Sequence, residues 1–238
     1  MKVLKFGKGN AKLSKKTATF SLPAGFSCPF AHNCLSKANR QTGKLTDGKH
    51  TEFRCFSASS EAIYKNTRNA RWYNFDLLKG LKTAEMADLI YNSLPKNVKL
   101  VRIHVSGDFF NASYFHAWLI VAKLNPETTF YAYTKSLQYW VDRINDIPNN
   151  MKLTASYGGK NDHLIEENGL KSVKVVYSYE EAERLGLEID HDDSHCYASN
   201  KNFALLIHGG QPAGSKASKA KEAIKKKGWT GYSKKTAA

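Results

Sequence analysis

The chain predicts an α/β fold: a mainly parallel sheet of βα repeats, open or rolled into a partial barrel. A loop-rich, cysteine-containing N-terminal region precedes it and a basic C-terminal helix follows. Three observations predict this. Short β-branched runs alternate with helical segments through the middle of the chain, and connections of that length imply right-handed crossovers between parallel strands. Gly, Pro and Asn punctuate the stretch before residue 59. Lysines crowd a helical pattern near the end.

In order, "KVLKFG" and "TATFSL" read as short extended pieces. "SSEAIYKNTRNARWYNFDLLKG" reads as one helix, capped by Ser59 or Ser60 and ended by Gly80. "TAEMADLIYNSLP" is a second helix with Thr83 as N-cap; Met86, Leu89, Ile90 and Leu94 share one face. Then come a strand "KLVRIHVSG", a helix "NASYFHAWLIVAKLNP" capped by Asn111, and a strand "TTFYAYT". The helix 112–124 is apolar nearly all round, as suits one covered on several sides. "SLQYWVDRINDIP" is a helix, "MKLTASYGG" and "VKVVYS" are strands, "YEEAERLG" is a helix and "NFALLIHGG" is the last strand. The divisions are a loop-rich region 1–58, a βα core 59–210 and a basic tail 211–238.

With 238 residues, 42% of them hydrophobic, the chain can bury a core without disulfides. The longest apolar run, "AWLIVAKL", is too short to span a bilayer, and "MKVLKFGKGN" lacks a signal-peptide core. The expectation is a cytoplasmic protein with no membrane partner and with reduced thiols. The net charge of +15 is uneven. Residues before Asp47 carry +9 and those from Gln211 carry +7, which leaves the middle at −1. Lysine-rich ends point to a polyanion, most simply nucleic acid. In the tail, Lys216, Lys219, Lys221, Lys225, Lys226 and Lys227 could track a phosphate backbone, and Trp229 or Tyr232 could stack on a base or dock the tail.

The four cysteines, Cys28, Cys34, Cys55 and Cys196, sit in polar, loop-like contexts. Four thiolates complete a tetrahedral zinc site or hold an iron–sulfur cluster. The expectation is one metal site of all four, iron–sulfur first and zinc as the alternative. The spacing C-x5-C-x20-C is neither a zinc-ribbon pair nor CxxxCxxC, and His32, His191 and His195 could replace a thiolate.

Three successive strands end in polar and glycine residues: Ser106, Gly107 and Asp108; Thr134, Lys135 and Ser136; Ser156, Gly158 and Gly159. In parallel α/β folds ligands bind at those ends. Asp108 and Lys135 are the catalytic candidates there, and Ser106, Gly107, Thr134 and Ser156 the cofactor-binding ones. Asp190, Asp192 and Asp193 offer a second carboxylate group, suited to Mg²⁺.

The strings "LPAGFSCPFAHNCLSKA", "TEFRCF", "RIHVSGDFF", "FYAYTKS" and "NFALLIHGGQPAGSKAS" together resemble the phage gene product 88 family over roughly residues 15–220. The resemblance implies a viral protein acting in the cytoplasm of an infected bacterium, and a loose association with replication initiation. The histidine–hydrophobic–histidine motif of rolling-circle nickases is absent. The leading expectation is a nucleic-acid-binding phage protein with a four-cysteine site, serving DNA replication or processing. The alternative is an enzyme with its active site at the strand ends, either radical S-adenosylmethionine-like or a Mg²⁺-dependent nuclease. A host protein partner is a third reading that no motif supports.

Overall fold

The computed structural model describes residues 2–9 and 12–229. Its strands are β1 (Gly7–Lys8), β2 (Thr17–Ser21), β3 (Ser36–Ala38), β4 (Leu45–Asp47), β5 (Leu100–Ser106), β6 (Thr129–Thr134), β7 (Met151–Ser156), β8 (Ser172–Val176), β9 (Glu188–Ile189) and β10 (Phe203–Leu206). Its helices are α1 (Phe56–Ile63), α2 (Lys65–Leu78), α3 (Thr83–Ser93), α4 (Ala112–Leu124), α5 (Leu137–Val141), α6 (His163–Glu167), α7 (Tyr179–Arg184), α8 (Ser194–Ala198) and α9 (Lys216–Lys226).

Eight strands form one sheet in the order β1-β2-β5-β6-β7-β8-β10-β9, and only the β1–β2 pairing is antiparallel. β3 and β4 make a separate hairpin. From β2 to β10 the sheet follows the chain without reversing. Crossovers of one hand then put their helices on the same face, as in a partial barrel and unlike a doubly wound sheet. The edge strands β1 and β9 do not pair with each other, so the sheet stays open.

Strand alternation sorts residues between the two faces. Val101, Ile103, Phe130, Ala132, Leu153 and Ala155 enter the main core with Trp118, Tyr114 and Phe115 of α4 and Met86 and Ile90 of α3. Each fully buried Phe or Leu there contributes about 1.5–3 kcal/mol. Val176, Ala204 and Leu206 continue this face under α7 and α9, where they meet Ala182, Ala217 and Ile224. The opposite, inner face carries Tyr131, Val173 and Phe203, which pack with Cys196 of α8.

The expected cap on α4 forms, with Asn111 Oδ1 accepting from Tyr114 N at 2.8 Å; α9 is capped by Ser215, whose Oγ accepts from Ser218 N at 3.1 Å. Three segments differ from expectation. The helix expected over 59–80 starts earlier and breaks at Tyr64, which is extended (φ −106°, ψ 96°). Arg68, buried, donates to the freed carbonyl of Glu61 and to that of Arg40, and so stabilises the break. Lys82, not Thr83, caps α3, and Glu85 returns a bond to its amide at 2.8 Å. "EIDHDDSHC" becomes β9 and α8 rather than a solvated loop. Among the described residues no helix is long and apolar enough to cross a membrane.

Candidate metal centre

The segment between β2 and α1 lies over the C-terminal ends of the inner strands, and its own hydrogen bonds hold it there. Leu22 N donates to Ser106 O at 2.8 Å, at the end of β5. Ala31 bridges Gly159, and His32 N and Asn33 N both donate to Gly158 O, beyond the end of β7. Arg54 and Gln211 exchange two amide bonds (2.8 and 3.0 Å), and Ser59 Oγ donates to Gly210 O, beyond β10. Gly107 explains why the segment can sit so close. Its φ is +84°, and a Cβ there would meet Ser27 Oγ at 2.5 Å and Leu22 Cβ at 2.7 Å.

Within this cover Asn33 O accepts from the amides of Glu52 and Phe53. That bond pair brings the Cys34 and Cys55 regions together, and both cysteines line one cavity of about 150 Å³ above the inner face. Cys28 joins them. Burial pushes its thiol well above the usual range, and the nearby Asp108, Cys55 and Cys34 raise it further. Burial and Cys34 push Cys55 up to about 11, although the first amides of α1, at Ala58 and Ser57, favour its thiolate. Such thiols stay protonated near neutral pH, which disfavours a free nucleophile; a metal would displace their protons.

Cys196 does not join the trio. Burial comes first in pushing its thiol up to about 12, and its Sγ lies 3.2 Å from Thr154 Oγ1, packed with Tyr131 and Phe203. Cys196 therefore stands apart from the other three cysteines, because α8 carries it onto the inner face at the level of Thr154. Among the described residues no three His, Cys, Asp or Glu side chains close around a point as ligands of a single ion. Zinc–sulfur bonds of about 2.3 Å would draw thiolates to roughly 3.8 Å from one another. The three thiols lie near one another, Cys34 and Cys55 in the cavity wall and Cys28 beside them. His32 stacks on His50 at 4.7 Å, and His195 bonds Asp190 and Glu188 (both 3.0 Å).

The strand-end residues converge on the same rim, but mostly as supports. Asp108, buried, accepts from Thr134 Oγ1 (2.6 Å), Lys135 N (2.8 Å) and Phe109 N (2.8 Å), which ties the ends of β5 and β6 together. Burial raises its carboxyl against those three donors. Asp108, expected as a catalytic acid, thus serves in the structure as a latch between the two strand ends. Lys135 Nζ donates to Ser156 O, Ser156 Oγ and Tyr157 O (2.9, 2.7 and 2.5 Å), which links β6 to β7. Ser106 Oγ donates to Glu61 Oε1 at 3.2 Å. Thus Ser106, Gly107, Thr134 and Ser156 shape the rim.

The acidic run is structural as well. Lys12 pairs with Asp190 (3.0 Å) and Asp193 (2.5 Å), and Arg102 pairs with Asp193 (2.5 Å), which also accepts from Tyr131 and Tyr133. Burial opposes the Asp193 charge, but Arg102 and Lys12 hold its carboxyl below the usual range. The oxygens of Asp190 and Asp193 thus all have protein partners.

In the tail, Lys216 lies over Tyr177 at 5.0 Å, Lys221 donates to Gly209 O at 2.6 Å and Lys227 pairs with Glu180. Lys219, Lys225 and Lys226 are exposed and make no ion pair among the described residues. Trp229 packs against the cluster under α9, and so docks the tail. Tyr232 lies outside the described residues.

One buried pair and one further cation escaped the sequence reading. Glu61 and Arg71 form a buried ion pair at 2.7 Å behind Ser106, and Glu61 Oε2 has no partner. Arg102 reaches the cavity from mid-β5. A charged residue inside a parallel strand was a visible signal for Arg102; Glu61 read as an ordinary helix-surface acid.

No solved structure matches the chain. Two relatives, each named "Gene 88 protein", come from Mycobacterium phage L5 (28% identical over 138 residues) and Mycobacterium phage D29 (29% identical over 138 residues). Each alignment covers 53% of this chain, with 51% of the L5 protein and 50% of the D29 protein, so it spans about half of each relative. The family model described as Gene product 88 matches residues 3–227, nearly the whole chain. The chain belongs to the Gene product 88 family.

Proposed function

We propose that this phage protein is an iron–sulfur enzyme whose cluster is held by Cys28, Cys34 and Cys55 at the C-terminal rim of the parallel sheet. One observation carries the reading. Cysteines from distant parts of the N-terminal cover share the rim with the polar ends of three consecutive strands. Ligand sites in parallel βα folds occupy that rim. A cluster held by three thiolates supplies one-electron chemistry at an iron left open to a further ligand. That is the fold position of the cluster in radical S-adenosylmethionine enzymes, an analogy of architecture alone.

This chain's own residues do the rest. The α1 N-terminus favours the Cys55 thiolate. Asp108 and Lys135 fix the strand ends, and Phe53 and Phe56 shield the cavity from water. The test is iron and acid-labile sulfide in protein purified without oxygen. Loss of both in Cys28→Ala, Cys34→Ala and Cys55→Ala, with retention in Cys196→Ala, supports the reading; a well-folded, colourless, iron-free preparation ends it.

A second property is favoured by the three unpaired lysines of α9. They lie on the exposed side of α9, a helix tied to the rim where Lys221 donates to Gly209 O and Gly209 abuts Phe56. We read this face as the contact for a nucleic-acid backbone, with affinity that falls as salt rises.

A further inference from the structure

The cavity under Cys34 and Cys55 has room for about five water molecules at roughly 30 Å³ each. Its lining holds three cations, Arg54, Arg102 and Lys135, and no carboxylate. Arg54 is neutralised by Asp47 through three contacts of 2.5 to 3.2 Å. The other two are not satisfied in the same way. Arg102 shares Asp193 with Lys12, which also pairs with Asp190, and among the described residues the buried Arg102 Nε has no hydrogen-bond partner. An N–H kept from water with nothing to donate to is unfavourable, and a charged one more so.

Lys135 is 8% exposed and gives its ammonium protons only to uncharged oxygens of Ser156 and Tyr157. Among the described residues it makes no ion pair; Asp108, the neighbouring acid, is tied to Lys135's own backbone amide. The walls opposite, Phe53, Val175 and Leu205, are apolar.

We propose that this cavity seats the carboxylate or phosphate of a small organic ligand, gripped by Arg102 and Lys135 next to the cysteine centre. The anion lies against Arg102 and balances Lys135, while the apolar walls take the organic part. The proposal deepens the reading of the rim as a reaction site, yet the anion subsite itself needs no iron.

The test follows arginine side-chain Nε–H signals of the ¹⁵N-labelled full-length protein. It is titrated at constant ionic strength with acetate, benzoate and inorganic phosphate, with iron measured on the same sample. The Arg102 Nε–H signal, assigned by its loss in Arg102→Lys, shifts saturably with at least one probe. Benzoate binding more tightly than acetate identifies a carboxylate on an apolar body; phosphate acting alone identifies a phosphoryl group. Lys135→Met weakens binding at least about tenfold, the scale of one charge-assisted contact. Lys123→Met, at the exposed end of α4, changes nothing. Should Lys135→Met fail to fold, Val175→Glu, which puts a carboxylate into the cavity wall, abolishes the shift instead. The proposal is overturned if no probe gives a saturable shift, or if the cavity variant that folds binds like the wild type. Saturable binding in an iron-free sample keeps the anion site and removes the cluster; an iron-loaded sample with no binding removes the anion site alone.

Discussion

Asp108→Asn separates a structural latch from a catalytic acid. In the wild type Oδ1 accepts from Thr134 Oγ1 and Phe109 N, and Oδ2 accepts from Lys135 N. An asparagine keeps the two Oδ1 bonds only by turning its NH2 toward the Lys135 amide, so two donors then face each other in a buried place. The loss is one charge-assisted bond, about 1.5–3 kcal/mol, and an unsatisfied buried donor adds about 1–3 kcal/mol. Allowing for relaxation, the cost is about 3 kcal/mol. With a urea slope of about 2 kcal/mol per molar, the midpoint drops by roughly 1.5 M. Urea titrations at pH 7, followed by tryptophan fluorescence and by circular dichroism, read this directly. An unchanged midpoint, together with loss of a reaction or of plasmid cleavage, refutes the latch and returns Asp108 to the chemistry.

Gly107→Ala forces a Cβ against Ser27 and Leu22 at a left-handed φ; a loss of about 2–4 kcal/mol in urea, with fewer iron atoms bound, is expected. His104 is buried at φ +66° with an unpartnered Nδ1, and burial, then Arg102, lowers it to about 3. Its folded value lies below the unfolded one, near 6.5. The stability of the neutral ring is therefore complete above pH 6.5 and is lost progressively as pH falls toward 3. The wild type should lose about 2 kcal/mol more than His104→Asn between pH 7 and pH 5, at about 1.4 kcal/mol per unit. Replacing Lys219, Lys225 and Lys226 together by Ala should lower the slope of log affinity against log salt by roughly two to three for single- or double-stranded DNA. An unchanged slope places the contact elsewhere.

The alternation of strands and helices was legible because period 2 and period 3.6 are written in neighbouring residues. Asn111 announced its helix for the same reason. The break at Tyr64 was not legible: it depends on Arg68 meeting carbonyls of Glu61 and Arg40, the latter on a different part of the chain. The bulge in β5 was hidden too. There the register passes from Thr19↔Arg102 to Ser21↔Ser106 and His104 turns left-handed, a feature of strand pairing rather than composition. At the site, sequence context drew attention to Cys28, Cys34 and Cys55 and to the polar strand ends. It could not exclude Cys196, because the burial of that thiol beside Thr154 follows from where α8 docks. Nor could it show that Asp190 and Asp193 find Lys12 and Arg102, partners far away in the chain.

Iron and acid-labile sulfide, counted per chain in oxygen-free preparations of the wild type and the four single cysteine-to-alanine variants, test the central claim most directly. The account predicts a coloured wild type, a coloured Cys196→Ala, and colourless, iron-poor variants at positions 28, 34 and 55. Iron that disappears with Cys196, or that never binds to the folded wild type, contradicts it.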